Sequence, residues 1–409
     1  MKNTKVVPGI DVFLRGDLSH LKNRKIAVVS NYSSLNSDIV PTIELLHEKK
    51  ELNITSLYAP EHGLWGKFQA GEDVPSYIDE NTGLPVFSLY DQSREKEIPL
   101  SDNMDERMRS FDISDSGKII NQKELQNIDT IIFDLQDIGT RIYTYISTLG
   151  YLMQAVSGTD IELIILDRPN PITGTHIEGP VLEYPGYSSF IGFYSIPVRH
   201  GLTMGELALL FNDQIYSNSV KITIIKAKNW KRNIWFDQSG LTWINPSPNI
   251  PTLNSATVYP GMVFLEGTNI SEGRGTTIPF EIFGAPWING KMVSYELAKK
   301  KIKGVEFRET FFTPAFSKYS GESCSGIRLF VTDRNNYSPF ITILHILKTT
   351  KEIYPDKMLI YKKYFNMTAG NSWLHDKILS GSNIEDIVDL YQKRLSEFGK
   401  NREKYFLYD

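Results

Sequence analysis

The sequence predicts an α/β protein with a Rossmann-like parallel-sheet N-terminal domain and a smaller mixed α/β C-terminal domain. Two observations carry this. Six short apolar runs of strand length occupy the first half, with helical patterns between several of them. Apolar strands separated by helices indicate βαβ units and a parallel sheet. The texture then changes around 228–252. Asn245-Pro246-Ser247-Pro248-Asn249-Ile250-Pro251 must be irregular, because its prolines remove donors and fix φ. The boundary is placed near 230, giving a catalytic domain over 1–230 and an auxiliary domain over 231–409 that completes a cleft.

In order, the first-half strands are expected at 25–30, 54–59, 85–90, 130–135, 161–166 and 220–227. Helical patterns cover 39–51, 142–157 and 203–212. The second of these puts Ile142, Ile146, Leu149 and Met153 on one face, as a core-facing helix requires. Residues 91–124 are polar and charged and read as an excursion from the sheet, a lid or a partly helical insertion. In the second half, strands are expected at 257–265 and 326–333, and helices at 293–301, 340–354 and 384–398.

Composition narrows the class of function. The chain has 409 residues, 41% of them hydrophobic and 22% charged, the make-up of a folded globular protein. A formal charge of −4 offers nothing to a nucleic-acid polyanion. The apolar runs are strand-sized, so no membrane span is expected. Met1-Lys2-Asn3-Thr4-Lys5-Val6-Val7-Pro8 has no apolar signal region. That reads as cytoplasmic by default, or extracytoplasmic if a leader has been removed. Cys324 is the sole cysteine; it excludes an internal disulfide and a multi-thiolate metal site, and reads as a small packed residue.

The chemistry collects at strand ends. Ser30-Asn31 follow the first strand, Glu61-His62 the second, and Ser88-Leu89-Tyr90 close the third. Asp134-Leu135-Gln136-Asp137 end the fourth, and Asp167-Arg168-Pro169-Asn170 the fifth. In a parallel sheet, all five groups face one crevice outside the carboxyl ends, where open α/β sheets bind ligands. Asp137 also reads as a helix N-cap, and Asn170-Pro171 as a turn.

Glu61 is the candidate general acid, because a partly dry crevice raises a carboxyl pKa toward neutrality. Tyr90 is placed to orient it or to hydrogen-bond developing charge. His62 either orients Glu61 or contacts substrate. Arg199-His200 precede a helix start. A glycine-rich loop carrying Glu266, Glu272 and Arg274 follows an apolar run, and such loops approach ligands through their backbone. Phe280 and Trp287 offer aromatic walls. No G-x-G-x-x-G follows the first strand, and no Walker A or G-x-S-x-G occurs. His62, His200, Asp134 and Asp167 are metal-ligand types without metal-ligand spacing, so neither metal nor organic cofactor is expected.

Longer motifs extend this reading. Pro60-Glu61-His62-Gly63, Ala70-Gly71-Glu72, Phe133-Asp134-Leu135-Gln136-Asp137-Ile138-Gly139 and Tyr143-Thr144-Tyr145-Ile146-Ser147-Thr148-Leu149 occur in that order. Asp167-Arg168-Pro169-Asn170-Pro171, Pro197-Val198-Arg199-His200-Gly201, Pro246-Ser247-Pro248-Asn249 and Glu266-Gly267-Thr268-Asn269 follow. Ser271-Glu272-Gly273-Arg274-Gly275-Thr276-Thr277 completes the series. This set resembles the exo-β-N-acetylmuramidase family typified by NamZ, over nearly the whole chain. The resemblance implies a cleft between two domains and release of N-acetylmuramic acid from the non-reducing end of peptidoglycan fragments. It implies Glu61 as the catalytic glutamate and Tyr90 as the tyrosine beside it. The insertion after Tyr90 is longer than the family pattern leads one to expect.

The mechanism stays open at this level. Glycosidases usually use two carboxyl groups, roughly 5–5.5 Å apart for retention and about 6.5–9.5 Å for inversion. Glu72, Asp134, Glu266 and Glu272 are candidate partners for Glu61; the substrate's acetamido group is the alternative nucleophile. An arginine fork suits the lactyl carboxylate of muramic acid, with Arg168, Arg199 and Arg274 as candidates in that order. Asn31, Asn170 and His200 complete the expected substrate-binding set. Two other readings compete: a non-catalytic muropeptide-binding module, and a metal-dependent amidase or deacetylase acting on cell-wall material.

Overall fold

A computed structural model describes residues 5–69, 72, 74–89, 125 and 127–409. The expected excursion at 91–124 and Tyr90 lie outside the described residues. The strands of the first half are β1 (Lys25–Ser30), β2 (Asn53–Ala59), β3 (Tyr77–Ile78), β4 (Pro85–Ser88), β5 (Thr130–Asp134), β6 (Glu162–Leu166), β7 (Glu178–Val181), β8 (Pro197–Arg199) and β9 (Lys221–Ile225). Seven of them form one sheet in the order β3-β4-β2-β1-β5-β6-β9. Every pairing in it is parallel except β3 with β4. The chain builds outward from β1 to β2 and β4, then crosses back to β5. That reversal beside β1 is a topological switch point, the place where such sheets open a crevice. All five residues of β5 are buried, as expected of a strand covered on both faces.

The helices are α1 (Gly9–Leu14), α2 (Thr42–His47), α3 (Tyr145–Val156), α4 (Met204–Gln214), α5 (Leu253–Met262), α6 (Gly290–Lys299), α7 (Pro339–Ile353), α8 (Lys362–Ala369), α9 (Trp373–Leu379) and α10 (Ile384–Asn401). The second half adds a three-stranded antiparallel sheet in the order β10-β12-β11, from β10 (Ile282–Ala285), β11 (Val305–Phe312) and β12 (Cys324–Val331). Helix α6 packs on β11 and β12, and α7 packs on α5 and α6. Cys324 is a buried free thiol. No helix among the described residues is long and apolar enough to cross a membrane.

Two expectations are corrected. The run at 257–265 is not a strand: α5 spans most of it and a 3₁₀ turn follows. Every residue from Ser255 to Met262 is buried, so the helix has no polar face, and periodicity cannot separate a fully buried helix from a buried strand. Thr252 begins it by accepting the Ser255 N–H at 3.0 Å. Asp137 does not cap a helix, since α3 starts only at Tyr145. Its Oδ2 instead accepts the Gly139 N–H at 2.6 Å. Gly139 has φ +80°, and a Cβ there would sit 2.5 Å from Asn170 Oδ1, so the turn requires glycine.

The two halves are tied by buried donors. Arg141, fully buried, donates to the carbonyls of Pro180, Ile196 and Thr368 at 2.7–3.1 Å. Helix α10 packs on the β7–β8 ribbon.

The carboxyl-terminal tail is tied the same way. Asp167 Oδ2 accepts the hydroxyls of Thr203 (2.7 Å) and Tyr408 (2.6 Å), while Oδ1 accepts the Gly205 N–H at the start of α4. Burial pushes the Asp167 carboxyl up to about 6, although these donors oppose the shift. A carboxyl raised in the folded state keeps its proton when the unfolded chain has lost it. Its contribution is therefore full below the unfolded value of 3.8 and is lost as pH rises to about 6. We expect Asp167→Asn to remove about 3 kcal/mol of pH-dependent stability change across that window. Urea unfolding of both proteins from pH 4 to 7 checks this: equal slopes would discount Asp167.

Candidate active site

The parallel sheet brings the sequence-predicted groups to one edge. Asn31 follows β1, Glu61 follows β2, and Asp134 and Asp167 end or follow β5 and β6. Glu61 is buried, and its Oε2 accepts the Thr144 hydroxyl at 2.6 Å. Thr144 stands immediately before α3, so the first turn of that helix fixes the glutamate's orientation. The Glu61-His62-Gly63 turn is tight. His62 has φ +74° and Gly63 φ +75°, and the Gly63 N–H returns to the Pro60 carbonyl at 3.0 Å. A non-glycine residue in the left-handed region is a strained position of the kind found at functional sites.

His62 is buried with Nδ1 3.0 Å from the Phe68 carbonyl. A carbonyl only accepts, so Nδ1 carries the proton and Nε2 the lone pair. Burial pushes the imidazole pKa down, against the raising effect of Glu61. The ring beside Glu61 is therefore neutral at neutral pH.

The other predicted residues fall into three groups. Asn31 and its neighbours build a scaffold: Asn31 Nδ2 donates to the Tyr145 hydroxyl at 2.6 Å, which donates to the Pro246 carbonyl at 2.7 Å. That links β1, α3 and the Pro246-Ser247-Pro248-Asn249 segment. Glu72 is exposed and accepts the Gln69 N–H at 2.7 Å; Gln69 in turn accepts Asn249 Nδ2 at 3.2 Å. Asn170 closes its own turn and donates to the Leu202 carbonyl at 2.9 Å.

The arginines form the second group, and each already holds a carboxylate. Arg168 grips Asp134 through Nε (2.5 Å) and Nη2 (2.8 Å), and Thr42 also donates to Asp134. Arg199 pairs with Glu178 at 2.7 Å and donates to the Ile172 carbonyl. Arg274 donates to Glu266 Oε1 from Nη2 at 2.6 Å and lies 3.4 Å from Glu272. Glu266 Oε2 accepts the Tyr364 hydroxyl at 2.6 Å, and Glu272 also meets Lys318 at 3.1 Å. The guanidinium of Arg274 sits 5.1 Å from the centre of the Phe280 ring. Asp134, Glu266 and Glu272 are thus bound up in charge-assisted pairs, the strong class of hydrogen bond.

The third group is Asp137 with His200. The Leu202 N–H donates to His200 Nδ1 at 3.1 Å, which puts the proton of a neutral ring on Nε2. Nε2 is 3.6 Å from Asp137 Oδ2, and Asp137 Oδ1 has no hydrogen-bond partner among the described residues. No group of three or more His, Cys, Asp or Glu side chains among the described residues has the placement to hold a metal.

Sequence reasoning passed over several side chains at this edge. Tyr143, Thr144 and Tyr145 entered only as part of a family motif, without a role in the site. Tyr259 sits in the stretch misread as a strand, and Tyr364 and Lys318 carry no local motif. The available signal was the Tyr-Thr-Tyr cluster at the end of the strand-end loop: hydroxyls at the start of an otherwise apolar helix.

Comparison with known proteins places this arrangement. The family model described as exo-beta-N-acetylmuramidase NamZ, N-terminal, matches residues 26–119 and 100–254, and its C-terminal counterpart matches 257–408. The peptidoglycan beta-N-acetylmuramidase NamZ of Bacillus subtilis (strain 168) is 42% identical over 408 residues, covering 100% of this chain and 92% of that protein. Two crystal structures of DUF1343 family proteins from Bacteroides fragilis NCTC 9343 superpose with TM-scores of 0.86 and 0.75, at 32% and 26% identity, each over 99% of both chains. The chain therefore belongs to the exo-β-N-acetylmuramidase NamZ family.

Proposed function

We propose that this protein is an exo-acting β-N-acetylmuramidase that releases N-acetylmuramic acid from the non-reducing end of peptidoglycan fragments. The named activity of the Bacillus subtilis relative, over the full length of this chain, supports the substrate class. The observation that carries the chemistry is Glu61: a buried carboxyl at the sheet's carboxyl edge, held by Thr144 and flanked by a neutral imidazole. In this reading Glu61 gives its proton to the glycosidic oxygen as the C1–O bond breaks. It then takes a proton from the water that attacks C1, which returns it to the acid form. Tyr90 is retained as its proposed partner.

The second catalytic group is proposed to be the substrate's own acetamido oxygen. The carboxylates Asp134, Glu266 and Glu272 are engaged by arginine or lysine, and substrate assistance needs no enzyme nucleophile. The division near residue 230 is retained with this reading; the Tyr145–Pro246 and Arg141–Thr368 bonds support a cleft with walls from both halves.

The test is release of nitrophenol from para-nitrophenyl β-N-acetylmuramide, beside the N-acetylglucosaminide, with and without EDTA. Turnover of the muramide alone, indifferent to EDTA, is expected. Turnover that EDTA abolishes would favour the metal-dependent alternative. Binding of muropeptides without turnover of the muramide or of the natural disaccharide would favour the binding module.

A further inference from the structure

Tyr259 belongs to α5, on the side of the cleft opposite Glu61 in sequence, yet it stands between the two charged parts of the site. Its ring packs edge-on against Tyr143 (centroids 6.2 Å apart) and against Phe280 (4.8 Å). Tyr143 is the neighbour of Thr144, which holds Glu61. Phe280 lies under the Arg274 guanidinium. The ring is thus fixed from two sides by aromatic edges. Its hydroxyl makes no hydrogen bond to any described residue. Two nearby phenols differ in this respect, Tyr145 donating to the Pro246 carbonyl and Tyr364 to Glu266, while the buried Tyr143 hydroxyl also lacks a partner among the described residues.

We propose that the Tyr259 hydroxyl is a substrate donor that binds the acetamido carbonyl of the N-acetylmuramoyl unit. The proposal rests on the muramidase reading above. Three arguments support it. An oriented phenol without an internal partner is a donor held for a ligand, because a polar group left unpaired on closing a site is costly. The charges acting on it are the carboxylates Glu266, Glu61 and Asp137 and the cation Arg274. With carboxylates predominating, an uncharged acceptor is favoured there over the lactyl carboxylate. Burial, then Glu266, push its pKa well above the ordinary tyrosine value, so the phenol keeps its proton at any working pH.

The experiment compares the full-length protein with Tyr259→Phe, which keeps the ring and its two aromatic contacts. We expect unchanged thermal unfolding. We expect kcat/KM on para-nitrophenyl β-N-acetylmuramide to fall by about 10- to 100-fold. Competitive inhibition by N-acetylmuramic acid should weaken by about tenfold or more. Inhibition by muramic acid, which carries a free amine in place of the acetamide, should be unaffected. Equal weakening of both inhibitors, or activity within twofold of the parent, would overturn the assignment. Failure of the parent itself to turn over the muramide or the natural disaccharide would instead overturn the muramidase reading, and this inference with it.

Discussion

Glu61→Gln is expected to lower the release of N-acetylmuramic acid from the disaccharide by about 10²–10⁴-fold, the usual loss for a positioned general acid. The amide keeps the shape of the side chain and can still accept the Thr144 hydroxyl, so folding should be retained. The size of the loss should depend on the leaving group. A sugar hydroxyl is a poor leaving group and needs the proton; nitrophenolate leaves without one. The variant should therefore lose much more on the natural disaccharide than on the nitrophenyl muramide. Parallel kcat/KM measurements on the two substrates provide the check. Equal losses on both would assign Glu61 to water activation or binding and not to leaving-group protonation. Full activity on both would remove Glu61 from the mechanism.

Arg274→Leu is expected to act mainly on stability. The guanidinium is buried and holds Glu266 and Glu272 at once. These partners raise its pKa against the opposing effect of burial. Removing one member of a buried ion pair leaves an uncompensated charge and typically costs about 3–5 kcal/mol. Lys318 compensates Glu272 in part, through its 3.1 Å contact, while Glu266 keeps, among the described residues, the Tyr364 hydroxyl alone. Denaturant unfolding measures the effect. A double variant, Arg274→Leu with Glu266→Gln, should recover part of the loss, because the stranded charge is then gone. A variant as stable as the parent but with a greatly raised KM would instead make Arg274 the fork for the lactyl carboxylate.

Much of the first half was legible because its signal is local. Strands buried on both faces are continuous apolar runs, and β1 was read from its own residues to its exact bounds, Lys25–Ser30. Helix α4 was read from its helical pattern over 203–212, and the structure adds the capping box of Thr203 and Glu206 that fixes its start. The short β7 and β8 and the strands β10 and β11 were not. Their pairing depends on partners elsewhere in the chain, and β11 has several exposed positions that break its apolar run. Helix α5 was misread because complete burial erases the amphipathic period that separates a helix from a strand.

The sequence by itself determined the parallel sheet, the gathering of Asn31, Glu61, Asp134 and Asp167 at its carboxyl edge, and the family. These follow from local hydrophobic patterns and from long motifs, which need no knowledge of contacts. Only the tertiary structure decided how the charged groups are paired. Arg168 with Asp134, Arg199 with Glu178, and Arg274 with Glu266 and Glu272 all look alike in sequence: cations near a ligand site. Their pairing rests on ångström distances between residues brought together by folding, and burial is what makes such a pair costly to break. Tertiary structure likewise set Thr144 against Glu61 and left the Tyr259 hydroxyl without a partner among the described residues.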